Sequence, residues 1–223
     1  MTKERTYQRN INPFRSELIK NARLVGQYDF PLLLKSTCIA TKAVPFDKAS
    51  KTKDKNQWVH FYIDDHRFEC VWRDPNRYLP MLKSYQGVIS TDFSVYTDMP
   101  LAMQIWNTYR NRAIAFWLQN NSVDVIPNIG WGDERSYSFC FDGIPKGSTV
   151  AISTNGCIRD KRDRFYFKKG LGKMIEVIKP SAVINYSNMP DDIFLPFIEQ
   201  GHKIIGIENY YDTLRRKKVS DNG

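Results

Sequence analysis

Cysteine and histidine are scarce in this sequence, and each shortage closes a class of function. The four cysteines, Cys38, Cys70, Cys140 and Cys157, stand far apart, with no C-x-x-C pair among them. His60, His66 and His202 are the only histidines, and with those thiols they make no zinc-ligand spacing. A structural zinc site and a disulfide framework are therefore not expected, and the thiols should be free and mostly buried. No serine–histidine or cysteine–histidine arrangement marks a nucleophile. Long apolar runs are missing too: none approaches the roughly 18 residues of a membrane span. The opening "MTKERTYQRNINPF" lacks the apolar core of a signal peptide. A cytoplasmic protein without a membrane partner is the expectation. No Gly-rich dinucleotide fingerprint follows any apolar run, which removes the best argument for a Rossmann domain.

Negative charge is also short. Lys and Arg number 33 against 24 Asp and Glu, a formal net charge of +9 that favours a polyanionic partner. The excess lies in an N-terminal arm (Lys3, Arg5, Arg9, Arg15, Lys20, Arg23), in "SKTKDK" (50–55), in "RDKRDRFYFKK" (159–169) and in "RRKK" (215–218). A solvated surface explains each of these as readily as binding does.

What is present is a recurring alternation. Short apolar runs rich in β-branched and aromatic residues fall at 28–37, 58–64, 87–94, 123–131, 148–154, 181–187 and 202–209. Such runs, lacking clean alternation, fit strands buried on both faces of a parallel sheet. Helical patterns lie between them. In 99–120, Leu101, Ile105, Tyr109, Ala113, Phe116 and Trp117 mark an apolar stripe, with Gln104, Asn107, Arg110 and Asn111 elsewhere and Asp98 as cap. Arg112, at the edge of that stripe, is placed to reach a carboxylate. In about 165–179, Phe167, Leu171, Met174, Ile175 and Ile178 share a face, and Pro180 stops the helix. A third helix runs from Pro190 to about residue 200 with Asp191 and Asp192 in its first turn. The predicted fold is α/β: a mostly parallel sheet with alternating helices, barrel-like or a partial barrel. Residues 1–223 read as one such domain with the basic arm, a polar surface excursion at 38–57 and a basic C-terminal tail.

The stretches "GVISTDFSVYTDMPLAMQIWNTYRNRA" (87–113) and "VIPNIGWGDERSYSFCFDGIPKGSTVAI" (125–152) resemble a family of bacterial and bacteriophage proteins known as domain of unknown function 4417. The likeness continues weakly through "KGLGKMIEVIKPSAVINYS" (169–187). It implies a bacterial or mobile-element setting, and no activity comes with it.

In parallel α/β folds the loops after the strand C-termini build the site. On that rim the sequence places Asp64, Asp65, Asp92, Asn128, Asn155, Tyr186 and Glu208, together with "WGDE" (131–134). Asp92, Asp133 and Glu134 are the candidate catalytic carboxylates, and a divalent metal is the cofactor such an acidic rim would hold. Asp133 and Glu134 have a second explanation, since an acid at the N-cap and another in the first turn of a helix over 131–145 serve capping. Beside them, Ser153, Asn155 and Gly156 follow a strand where small residues let backbone N–H groups approach a phosphate, and Arg159 and Arg162 add positive charge. Trp131 and Arg135 complete the candidate substrate-binding set. "IDDHRFE" (63–69) offers Asp64, Asp65, His66 and Glu69 in no standard metal spacing. Two functions follow: a metal-dependent enzyme acting on a phosphate-bearing substrate, nucleotide or nucleic acid, or a non-catalytic nucleic-acid-binding or regulatory protein of a mobile element.

Overall fold

Seven parallel strands follow one another across the structure in chain order, a pattern set by short apolar runs whose alternate residues pack on opposite sides. The computed structural model describes residues 15–220. A short antiparallel pair, β1 (Leu24–Val25) and β2 (Phe30–Pro31), comes first. Then come β3 (Ala43–Pro45), α1 (Phe46–Ala49), β4 (Trp58–His60), α2 (Glu69–Arg73), α3 (Pro75–Lys83) and β5 (Gly87–Ile89). After these lie α4 (Leu101–Asn120), β6 (Val125–Ile126), β7 (Thr149–Ser153), α5 (Lys161–Ile178), β8 (Ala182–Tyr186), α6 (Asp191–Glu199), β9 (Ile204–Ile207) and α7 (Tyr210–Ser220).

Strands β3-β4-β5-β6 form one parallel sheet and β7-β8-β9 another. A parallel bridge between Asn128 and Ala151 joins them, with Ile129 N donating to Ala151 O at 2.9 Å and Ala151 N to Pro127 O at 2.8 Å. An inner cluster takes at least one residue from every parallel strand: Ala43, Trp58, Ile89, Ile126, Ala151, Ile184 with Tyr186, and Ile207. Their outward neighbours Val44, Val59, Val88, Val125, Val150 and Val183 join the larger core that packs against the helices. The sheet curls. Tyr186 of β8 stacks its ring 4.1 Å from that of His60 on β4 and 5.2 Å from that of Tyr62, across the inside. No pairing between β9 and β3 occurs among the described residues, so the seven strands make a partial barrel.

Helix α5 forms as its periodicity predicts. Asp160 caps it by accepting from Asp163 N at 2.8 Å, and Phe167, Leu171, Met174, Ile175 and Ile178 are all buried. Each such side chain contributes about 1.5–3 kcal/mol of burial. Helix α6 likewise begins after Pro190, and Gly201, in the left-handed region at φ +87°, follows its end.

Elsewhere the structure corrects the sequence reading. Residues 28–37 contribute no parallel strand; Phe30–Pro31 pairs antiparallel with Leu24–Val25. The supposed surface excursion at 38–57 holds β3, whose three residues are buried against β4. Helix α4 starts after Pro100 without a side-chain cap from Asp98. Its burial is wider than one stripe: Ala113 to Leu118 are all buried, because the helix lies between the core and the segment carrying β2. Gln104, Asn107 and Asn111 are buried too, while Leu101 is exposed. Residues 131–145 form a 3-10 turn, Glu134–Ser138, in place of a full helix. The C-terminal tail continues as α7 to Ser220. The four cysteines are free, but only Cys140 is buried. The basic arm before Arg15 lies outside the described residues.

Candidate functional site

Because the strands are parallel, their following loops collect at one end, and there they enclose a cavity of about 700 Å3. Four consecutive strands supply its walls. Tyr62 and Asp64 follow β4; Asp92 and residues 94–98 follow β5; residues 128–132 follow β6; Ser153, Asn155, Gly156, Cys157 and Arg159 follow β7. The first turns of α5 close it with Arg162, Asp163, Tyr166 and Phe167.

Asp92 sits in this cavity with an amide for its only hydrogen-bond partner among the described residues. Asn128 Nδ2 donates to Asp92 Oδ1 at 2.7 Å, and Tyr62 Oη donates to Asn128 Oδ1 at 2.9 Å, which fixes how the amide is turned. The Asn128 backbone is held as firmly: its N donates to Ser90 Oγ at 2.8 Å and its O accepts from Arg112 Nη1 at 3.1 Å. No salt bridge reaches Asp92 among the described residues. Burial pushes its carboxyl up to about 7; the charge of Asp65 adds to this, and the Asn128 hydrogen bond opposes it.

The loop carrying Asp92 is itself held by amides of α4. Asn111 Oδ1 accepts from Phe93 N at 2.8 Å and its Nδ2 donates to Phe93 O at 3.1 Å, the pair of bonds a neighbouring strand would make. Asn107 Nδ2 donates to Ser94 O at 2.7 Å, and Gln104 Nε2 to Met99 O at 3.0 Å. Asp65 accepts from both Ser94 N and Ser94 Oγ. The polar residues of α4 thus serve a loop and not the solvent.

Asp133 and Glu134 lie outside the cavity. Asp133 caps the 3-10 turn by accepting from Arg135 N at 3.1 Å, and both its oxygens lie 3.0 Å from Arg135 Nε. That guanidinium holds its carboxyl below the usual range. Glu134 pairs with Lys169 on α5. Arg135 also donates to Thr97 O at 2.7 Å, bracing the loop that forms one lip of the cavity. The structure therefore does not bring Asp133 and Glu134 together with Asp92. Of the other predicted site residues, Asn128, Trp131, Ser153, Asn155, Gly156, Arg159 and Arg162 line the cavity. Tyr186 belongs to the inner ring stack and accepts from Tyr210 N at 3.0 Å, and Glu208 pairs with Arg216 at 2.9 Å.

The residues of "IDDHRFE" are dispersed over other partners, with Asp64 beside Arg67 and Glu69 accepting from Arg110 at 2.8 Å. Among the described residues no group of three or more His, Cys, Asp or Glu stands where it could hold a metal ion. Arg112 reaches no carboxylate among the described residues. Fully buried, it donates to the carbonyls of Asn128, Cys140 (2.6 Å) and Asp142 (2.9 Å).

Sequence reasoning missed the aromatic lining, Tyr62, Tyr96 and Tyr166. Tyr62 was within reach: Trp58, His60 and Tyr62 share one parity, so all three turn to the inside of the barrel. Trp131 packs across α5, its Nε1 donating to Tyr166 O at 3.3 Å. A Cβ on Gly170 would stand 2.1 Å from that nitrogen, so only glycine fits there. Arg159 and Arg162 form no salt bridge among the described residues and leave their charge to the cavity.

Residues 22–204 match the model of the family described as a domain of unknown function, DUF4417. The Gene 1 protein of Mycobacterium phage D29 is 38% identical over 165 residues, which cover 73% of this chain and 58% of that protein. The Gene 1 protein of Mycobacterium phage L5 is 38% identical over 167 residues, 74% of this chain and 70% of that protein. The chain thus spans a little under three-fifths of the D29 protein's length. No solved structure matches it.

Proposed function

The chain belongs to the DUF4417 family, whose description carries no activity, and from that premise we propose, on the geometry of the cavity, an acid–base enzyme acting on a phosphate-bearing ligand of nucleotide size. The observation that carries this reading is Asp92: a carboxyl at the cavity, without a salt bridge among the described residues, held by an oriented amide. A proton acceptor and donor is most effective when its pKa lies near the working pH, and burial brings this carboxyl to about 7. Asn128, locked by Tyr62, the Ser90 hydroxyl and Arg112, keeps one oxygen of Asp92 occupied and directs the other at the ligand.

The remaining lining suits a nucleotide. Tyr96, Trp131 and Tyr166 offer ring surface for a base, Asn155 offers an amide, and Arg159 with Arg162 offers charge-assisted bonds to phosphate. The cavity falls within the roughly 300–1,000 Å3 of small-molecule sites. A protein-built metal cage is not part of this reading. A divalent ion would arrive with the ligand's phosphates, as Mg2+ does when few carboxylates hold it.

Calorimetric titration with nucleoside monophosphates and the matching nucleosides, with and without Mn2+, tests the proposal. The nucleotides should bind, the nucleosides should bind at least about tenfold more weakly, and Arg159→Ala with Arg162→Ala should erase the difference. Asp92→Asn should keep nucleotide affinity and abolish whatever turnover a substrate screen detects. Equal binding of nucleoside and nucleotide would remove the phosphate, and turnover surviving in Asp92→Asn would remove the acid–base role.

A further inference from the structure

Tyr96 and Phe165, at 58% and 57%, are the two most exposed large aromatic side chains among the described residues, one in the wall of this cavity and one beside it. Tyr96 lines it, and Phe165 adjoins the lining residue Tyr166 on α5, ring centroids 5.4 Å apart and edge to face. A single exposed aromatic needs no explanation. Two, one lining a polar cavity and one adjoining its wall, do.

The charge around Phe165 has a definite sign. Residues 159–169 carry six Lys or Arg against two Asp. Three of those cations are engaged within the protein: Arg164 with Asp192, Lys169 with Glu134, and Lys168 through the Asp192 carbonyl at 2.8 Å. Arg159, Lys161 and Arg162 form no salt bridge among the described residues. The start of α5 and the residues just before it therefore present cations without salt bridges beside a half-exposed phenyl ring, with Lys169 Nζ 5.4 Å from the ring centroid. Cations that follow a backbone, beside ring faces on which bases stack, are how proteins hold single strands without reading sequence.

We infer that the ligand is the end of a single-stranded nucleic acid, its terminal nucleotide in the cavity and the following nucleotides crossing α5 over Phe165. This rests on the reading of the cavity as a nucleotide site. It makes Phe165 a stacking residue and Lys161 a phosphate contact, neither of them needed for a mononucleotide.

The test compares a fluorescein-labelled ten-nucleotide oligo(dT) with dTMP, the first by anisotropy and the second by calorimetry, at low salt. The oligonucleotide should bind at least about tenfold tighter than dTMP and much tighter than a duplex of equal length. Its log–log salt slope should be near −2, about 0.7 for each of three phosphates, and Lys161→Ala should reduce it by about 0.7. Phe165→Ala, at an exposed position that folding does not need, should weaken the oligonucleotide about 5-fold or more and leave dTMP unchanged. If dTMP binds but the oligonucleotide binds no tighter, or Phe165→Ala leaves its affinity intact, the strand inference falls and the nucleotide site stands. Failure of both probes to bind removes the two together.

Discussion

The loop after β5, with Asp92, and the loop after β6, with Asp133 and Glu134, leave neighbouring strands at the same end of the sheet and look alike in sequence. Their carboxylates meet different surroundings. Asp133 has a guanidinium two residues away and a backbone N–H to cap, and Glu134 has Lys169 across on α5. Asp92 is half-buried, with an amide and a second carboxylate nearby. An acid whose own loop supplies a cation is committed to structure, whereas one that is buried beside an amide keeps an exchangeable proton near neutral pH. Residue type and position on the rim are the same for both, so the partners decide.

Arg112 fastens the loop after β6 at both ends, since it donates to Asn128 O near its start and to the carbonyls of Cys140 and Asp142 near its end. Replacing it by Met leaves three buried acceptors without donors. We expect a loss of about 3–5 kcal/mol in urea unfolding, the largest effect of any substitution named here. A loss below about 1 kcal/mol would mean that other contacts hold the two ends of the loop after β6.

Asn111→Ala separates the loops. It removes two bonds to Phe93 and should cost about 1–3 kcal/mol, with faster amide exchange at 92–94 and no change at 133–136. Exchange that quickens equally in both loops would contradict the assignment of α4's amides to the Asp92 loop.

At Asp133 the effects are smaller. Asp133→Ala should cost about 0.5–2 kcal/mol and Asp133→Asn almost nothing, because asparagine caps about as well. Its carboxyl is depressed in the folded state, so its contribution is present above the unfolded pKa of about 3.9 and is lost as pH falls through the lower, folded value. Melting curves of the alanine variant should converge on those of the parent at low pH. A gap that persists there would assign the stabilisation to something other than the charge.

These contrasts also mark what the sequence could reveal. Strands β4 to β9 were legible as short runs of β-branched and apolar residues packed on both faces, and α5 because one face packs and the other meets solvent. Strand β3 was hidden, being three residues among lysines and turn formers. Helix α4 misled because an apolar stripe presumes solvent on the opposite side. Here the helix is packed on two sides, and its amides replace strand partners for a loop. For the site, the rim rule placed Asp92, Asn128, Trp131, Asn155 and Arg159 around one cavity. It had no means of distinguishing Asp92 from Asp133, because pairing with Arg135 depends on how the 3-10 turn winds and isolation of Asp92 depends on what α4 and β6 place around it.

The central claim is the state of those two carboxyls, and titrating the side-chain carboxyl carbons of the aspartates by NMR reads both in one experiment. Asp92, raised in the folded state, should titrate near 7 and Asp133 below the ordinary aspartate range. By linkage the same shift makes the fold less stable as pH rises from the unfolded value of about 3.9 to about 7 and adds no further pH dependence above that, a decline that Asp92→Asn should remove. An Asp92 that titrates at 4 or below would show an ionised, solvated carboxylate no different from Asp133, and would contradict the account.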